Sequence, residues 1–291
     1  MARRLTNDLT GRAARLGALA VAALLLGGAG SFEALFAPKA ELWPRWTAHD
    51  ETSRATVDHG AWDRLLAAYV HPSADGINRV DYRALGQGAA KAALDGYIKN
   101  LTDTPISRYR RTEQRAFWID LYNAVTVRLV AERYPVASIR DIDISPGLFS
   151  RGPWDKKLVT VEGEAVSLND IEHRILRPIW RDPRIHYAVN CASLGCPNLQ
   201  RQAFTAANSE ALLDQGARDY VNNPRGVHFD GTRLIVSSLY VWYGEDFGGS
   251  DAAIIAHLRN YAAPALATRL AAATSIDGDN YDWALNGLVA R

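Results

Sequence analysis

The sequence predicts an α+β domain, with a long buried central helix packed on a small mixed or antiparallel sheet. Three observations carry that expectation: one long segment is apolar on several helical sides, short strand patterns fall irregularly between helices, and no internal repeat appears. Hydrophobic residues are 48% and charged residues 22%, ordinary globular usage that excludes a disordered chain and a polytopic membrane protein. The 33 basic residues are balanced by 32 acidic ones, which argues against nucleic acid as a partner, because phosphate binding needs a positive surplus gathered on one face.

Residues 1–30 carry Arg3, Arg4, Arg12 and Arg15, then an uncharged run from Leu16 to Gly30 ending in small residues. That is the layout of a secretory signal, with cleavage expected near Ser31. The run is shorter than the roughly 20 residues that span a bilayer as a helix, so cleavage is favoured over an uncleaved anchor prolonged through Phe32–Phe36. Either outcome exports the rest of the chain, to a periplasmic or secreted location or to an inner-membrane anchor, and membrane contact is expected only through this segment. Residues 31–59 read as a linker with prolines and scattered tryptophans, and residues 60–291 as the domain.

Within the domain, AWDRLLAAYV is helical, breaks at Pro72 and Asp75-Gly76, and is followed by a second helix around Lys91–Leu101. Glu113–Tyr134 is the central helix, ending before Pro135. KLVTVEGEAV reads as two strands about Glu162-Gly163, and SLNDIEHRILRP as a short helix capped by Ser167 and stopped by Pro178. RIHYAVN alternates and is predicted to be a strand. Glu210–Asn222 is an amphipathic helix, VHFDGTRLIV a hairpin turning at Asp230-Gly231, and Ser250–Ala273 helical again.

At AFWIDLYNA, SLNDIEHRILR, DPRIHYAVNCASLGCP, VWYGEDF and YDWALN, in that order, the chain resembles the family catalogued as domain of unknown function 547, over roughly residues 60–286. The resemblance implies recurring residues rather than a reaction: Asn123, Glu172, His173, His186, Asn190, Cys191, Ser193, Cys196, Tyr243, Asp246, Asp282 and Trp283. The long helix followed by His-bearing strands is also loosely similar to the papain and transglutaminase architecture, except that Asn123 stands where such enzymes carry their cysteine.

Read for chemistry, Asn123 sits mid-helix, where its amide must be satisfied. It either ties a loop to the helix or faces a pocket. Cys191 and Cys196 are the only cysteines. In an exported protein they are expected to form a disulfide, whose short loop adds only about 2 kcal/mol; the rival reading makes Cys191 a thiol nucleophile. If residues 186–190 are extended, His186 lies roughly 16 Å from Cys191, so His173 is the better base, with Glu172 beside it. Metal binding by His173, His186, Cys191 and Cys196 matches no common zinc spacing, and no cofactor is expected. Ser193 sits in half of a nucleophile elbow, and Tyr243, Asp246, Tyr281, Asp282 and Trp283 form an aromatic and acidic rim. Two functions follow. One is a cell-envelope cysteine-dependent hydrolase or acyltransferase, with Cys191 as nucleophile, His173 or His186 as base and Asn123 or Asn190 at the oxyanion. The other is a non-catalytic binding or scaffold module with a Cys191–Cys196 bridge. In either, the expected ligand is a small molecule, peptide or glycan, held by residues that include Glu172, Asn190, Ser193, Tyr243 and Asp246.

Overall fold

A helix apolar on all sides must be covered on all sides, and the architecture follows from that demand. The computed structural model describes residues 37–146 and 152–288; the signal or anchor expected over residues 1–30 lies outside them. In chain order, helix α1 (Gly60–Tyr69), strands β1 (Val70–His71) and β2 (Arg79–Val80), and helices α2 (Tyr82–Leu85) and α3 (Gly88–Thr102) lead to α4 (Arg111–Arg133). From Glu113 to Ala131 every residue of α4 is buried except Arg128. Its main neighbours are α2, α3 and the helix around Glu172. The fold is α+β as expected, but the central helix is sheathed chiefly by helices rather than laid on a sheet, because a sheet covers only one side of a helix that has no solvent face.

Among the described residues the strands form three small sheets. β3 (Val159–Val161) and β4 (Glu164–Val166) make the hairpin expected about Glu162-Gly163. β5 (Val227–Asp230), β6 (Arg233–Ser237) and β7 (Gly278–Asn280) form a mixed sheet, with β7 parallel to β6. Asp230 pairs with Arg233, so the hairpin loop is Gly231-Thr232, one residue later than expected, with Gly231 supplying φ 61°. Helices α6 (Ser209–Val221), α7 (Ser238–Trp242), α8 (Asp251–Tyr261) and α9 (Pro264–Ala272) surround this sheet in a second apolar cluster that includes Tyr187, Tyr220, Tyr240, Phe247 and Leu258.

Two expectations are corrected. Pro178 does not stop its helix. Asp170–Leu176 is π-wound and continues as α5 (Arg177–Trp180). Having no N–H, Pro178 leaves carbonyls without their helical partner, and those of His173 and Arg174 accept instead from the N–H groups of Glu41 and Trp43, at 2.9 and 3.0 Å. The stretch read as a linker is therefore, from residue 37, stitched to the domain: Trp46 is buried, Gln114 donates to Ala48 O, and Glu113 accepts from Val57 N–H. RIHYAVN is not a strand. Pro183–Tyr187 is a 3-10 turn, started by the Asp182 carboxylate accepting from Arg184 N–H at 2.9 Å, with Pro183 preset for the first helical position. The separation estimated for an extended chain no longer applies, and His186 is drawn into the same cavity as Cys191. Among the described residues no helix is long and apolar enough to cross a membrane.

Candidate functional site

A cavity of about 430 Å³ has walls from α4, the π-helix, the 183–187 turn, the 189–196 loop, α7 and residues 281–283. That volume suits a small ligand or one unit of a polymer.

The sulfur wall is built outward from Asn123. Its Nδ2 donates to Ala188 O at 2.9 Å and its Oδ1 accepts from Asn190 N–H at 2.8 Å. Asn190 in turn accepts from Ala192 N–H at 2.9 Å and donates to Pro197 O at 2.7 Å. Both amides are committed to backbone, so the structure assigns them to bracing the loop in place of the oxyanion contact anticipated for either. The brace holds Ala192 at φ 62°, a left-handed conformation that costs an alanine about 1–2 kcal/mol. Asn286 N–H, donating to Ala192 O at 3.0 Å, fixes the loop from the other side.

This loop presents the two sulfurs differently. Both are free thiols, so the expected bridge is not formed. Cys196 is buried and its Sγ accepts from Cys191 N–H at 2.9 Å. Cys191 is partly exposed, with Ser193 Oγ 3.2 Å and Tyr281 Oη 3.0 Å from its sulfur. The Cys196 thiol as donor, with help from the Tyr281 hydroxyl and the Ser193 backbone N–H, draws the Cys191 pKa below its ordinary value against the effect of burial. Burial, and then the neighbouring Cys191, push Cys196 well up. Cys191 is thus the sulfur that more readily becomes a thiolate.

A second wall is a closed ring of charged and titratable groups. His186 Nε2 lies 2.7 Å from Asp246 Oδ2, and Arg177 Nε donates to that same oxygen at 2.6 Å. Arg177 Nη1 donates to His173 Nδ1 at 2.9 Å, which makes Nδ1 an acceptor and leaves the His173 proton on Nε2. Glu172 closes the ring, 3.9 Å from His173 Nε2 and 3.6 Å from His186 Nδ1. Tyr243 packs across it, stacked on His186 at 4.5 Å with the Arg177 guanidinium 4.6 Å from its centroid. Burial, reinforced by Arg177, lowers the His173 pKa to about 4. Burial would raise Glu172, but His173, His186 and Arg177 outweigh it and hold the carboxyl at about 2. Asp246 lies far below its ordinary value, since His186 and Arg177 overcome its burial.

The ring depends on the π-turn. Its wider i→i+5 bonding, seen in Arg177 N–H donating to Glu172 O, brings residues 172, 173 and 177 toward one side. Ser167 and Asp170 set the start of the helix by a reciprocal cap: the hydroxyl accepts from Asp170 N–H at 3.1 Å, and the carboxylate accepts from Ser167 N–H at 2.8 Å. A third wall is aromatic. Trp242 stacks on Trp283 at 5.6 Å, Trp154 meets Trp283 edge-on at 5.7 Å, and the Arg140 guanidinium sits 5.1 Å from the Trp283 centroid.

Of the residues singled out from sequence, Glu172, His173, His186, Cys191, Cys196 and Tyr243 line the cavity, and Ser193 and Asp246 touch its lining groups. Asn123 and Asn190 stand behind it. Neither imidazole is bonded to the Cys191 sulfur; each is engaged by the ring. Arg177 was not foreseen, although its place four residues after His173 on a helix was the available signal. Trp154 and Trp242 were also missed. Among the described residues no three His, Cys, Asp or Glu side chains are arranged to hold a metal ion, so His173, His186, Cys191 and Cys196 share a cavity without forming the metal-ligand set weighed from sequence.

Residues 106–221 match the model of a family described as protein of unknown function, DUF547. No curated protein and no solved structure matches the chain.

Proposed function

We propose that this chain, which belongs to the DUF547 family, is an exported thiol enzyme of acyl transfer or hydrolysis, with Cys191 as nucleophile. The observation that carries the reading is the unequal treatment of the two sulfurs. Cys191 opens on the cavity with hydrogen-bonding groups gathered on it and a lowered pKa, while Cys196 is buried with a raised one. A thiolate held by donors attacks without waiting for a base. Its sulfur would form a bond to an acyl carbon as the bond to the leaving group breaks, and water would then release the acid and restore the thiol. His173 and His186, which line the cavity, would hold a polar group of the substrate, and the tryptophans its apolar face. The basic start and apolar run of residues 1–30 support export.

A second reading is a non-catalytic binding or scaffold module, in which the adjacent thiols, free here, would be oxidised to a bridge. It is favoured by the contact of Cys191 N–H with Cys196 Sγ, which keeps the thiols adjacent, and by no imidazole among the described residues being bonded to the Cys191 sulfur. One experiment separates the two: count free thiols in the native protein and expose it to a p-nitrophenyl ester. Two free thiols and an acyl group on the Cys191 peptide are expected. Absence of any free thiol before reductant is added sinks the enzyme reading in favour of the bridged module.

A further inference from the structure

We propose that Tyr281 is the acid–base partner of Cys191, occupying the role that an imidazole fills in other thiol enzymes. The inference rests on Cys191 being the nucleophile. Ser193 Oγ donates to Tyr281 Oη at 3.0 Å, which leaves the phenolic hydrogen free for the Cys191 sulfur, also at 3.0 Å. His173 Nδ1 and His186 Nε2 are taken by Arg177 and Asp246, at 2.9 and 2.7 Å. Tyr281 itself lines the cavity, so a bound acyl group and its leaving atom would lie within its reach.

The fold holds the phenol there by pairing the C-terminal segment with the sulfur loop. Leu194 N–H donates to Ala284 O at 2.7 Å, Gly195 N–H to Asp282 O at 2.8 Å, and Ser193 bridges Leu285 in antiparallel fashion. Gly195 permits this approach: a Cβ there would lie 2.8 Å from Asp282 N and 3.0 Å from Tyr281 Cδ1. The ring is packed against Trp242 and Trp283, at 4.8 and 4.7 Å between centroids.

The proton balance closes without a further group. Thiolate attack forms the S–C bond, and as the C–X bond breaks the leaving group takes the proton of Tyr281, giving HX, a thioester and a phenolate. The phenolate then takes a proton from the water that attacks the thioester; the C–S bond breaks, and thiolate, phenol and free acid are restored. Burial first, and the neighbouring Cys191 charge second, push the phenol pKa well up. The resting tyrosine is therefore a neutral donor, and acylation, by removing the sulfur's charge, eases its release of a proton.

The test is the pH profile of Cys191 alkylation by iodoacetamide, read on its own peptide by mass spectrometry, in the wild-type chain and in Tyr281→Phe. Loss of one hydrogen bond to a charged sulfur should move the midpoint up by about one to two pH units, and an acetyl group placed on Cys191 by p-nitrophenyl acetate should leave about 100-fold more slowly. An unchanged profile in a folded Tyr281→Phe protein overturns the proposal. If that variant does not fold, 3-fluorotyrosine at position 281 keeps the hydroxyl and makes it a stronger acid, so the midpoint must move down; no movement overturns it equally. Because alkylation needs no acyl substrate, a shifted profile in a protein that never becomes acetylated supports the Tyr281–sulfur pairing while removing acyl transfer as the function.

Discussion

Two walls of the cavity are held by opposite means. The hydrogen-bond partners of Cys191 itself are the Cys196 thiol and the hydroxyls of Ser193 and Tyr281, all neutral groups. Around His186 the groups are Glu172, Asp246 and Arg177, with each charge beside an opposite or titratable partner. Neutral groups can be removed singly at modest cost, whereas deleting one member of a buried charge set strands another. The charged wall should therefore govern stability and its pH dependence. The sulfur wall should govern reactivity.

The largest effect expected is that of Arg177→Met. It removes the donor to Asp246, His173 and Pro38 O, and denaturant unfolding should show a loss of about 3–5 kcal/mol. A loss below about 1 kcal/mol would mean the ring is solvated and the contrast between the walls is false.

Next comes the pH dependence. An unfolded chain protonates His173 near 6.5, but the folded protein resists until about 4. Stability should fall as the pH drops through that window and level off below it, by about 3 kcal/mol for this residue. His173→Gln, which can still accept from Arg177, should flatten this part of the profile. His257 is also held at about 4, chiefly by burial, and contributes to the same window, so the informative quantity is the difference between wild type and variant. Unfolding midpoints measured from pH 7 to pH 4 supply it, and parallel profiles would remove His173 from the account.

The smallest effect on stability belongs to the sulfur wall. Gly195→Ala should cost only about 1–3 kcal/mol, yet by pushing on Asp282 and Tyr281 it should slow Cys191 alkylation as Tyr281→Phe does. Normal alkylation in a strained but folded Gly195→Ala protein would show that the C-terminal segment does not tune the thiol.

Much of the fold was readable residue by residue. Glu113–Tyr134 declared itself by apolar side chains on several faces, and the Glu162-Gly163 hairpin by its turn, because these patterns act within a few residues. Residues 184–190 misled because Ile185, Tyr187 and Val189 alternate with polar neighbours as a strand would, while Asp182-Pro183 carried the competing start signal of a helical turn. The cap prevailed, since it satisfies a backbone N–H locally without any partner strand. Pro178 misled for a related reason: whether a proline ends a helix depends on what accepts the freed carbonyls, and Glu41 and Trp43 did so from more than a hundred residues away.

The sequence by itself determined the α+β class and the elements whose signals are local, and it singled out the stretch from Asn190 to Pro197, whose Cys191 and Cys196 line the cavity. The tertiary structure alone decided which groups meet there. Cys191 and Tyr281 are 90 residues apart, His186 and Asp246 60, and Arg177 and Pro38 139. No periodicity or spacing along the chain encodes such pairings, because they are fixed by how buried faces pack and by which polar atoms packing leaves in need of a partner.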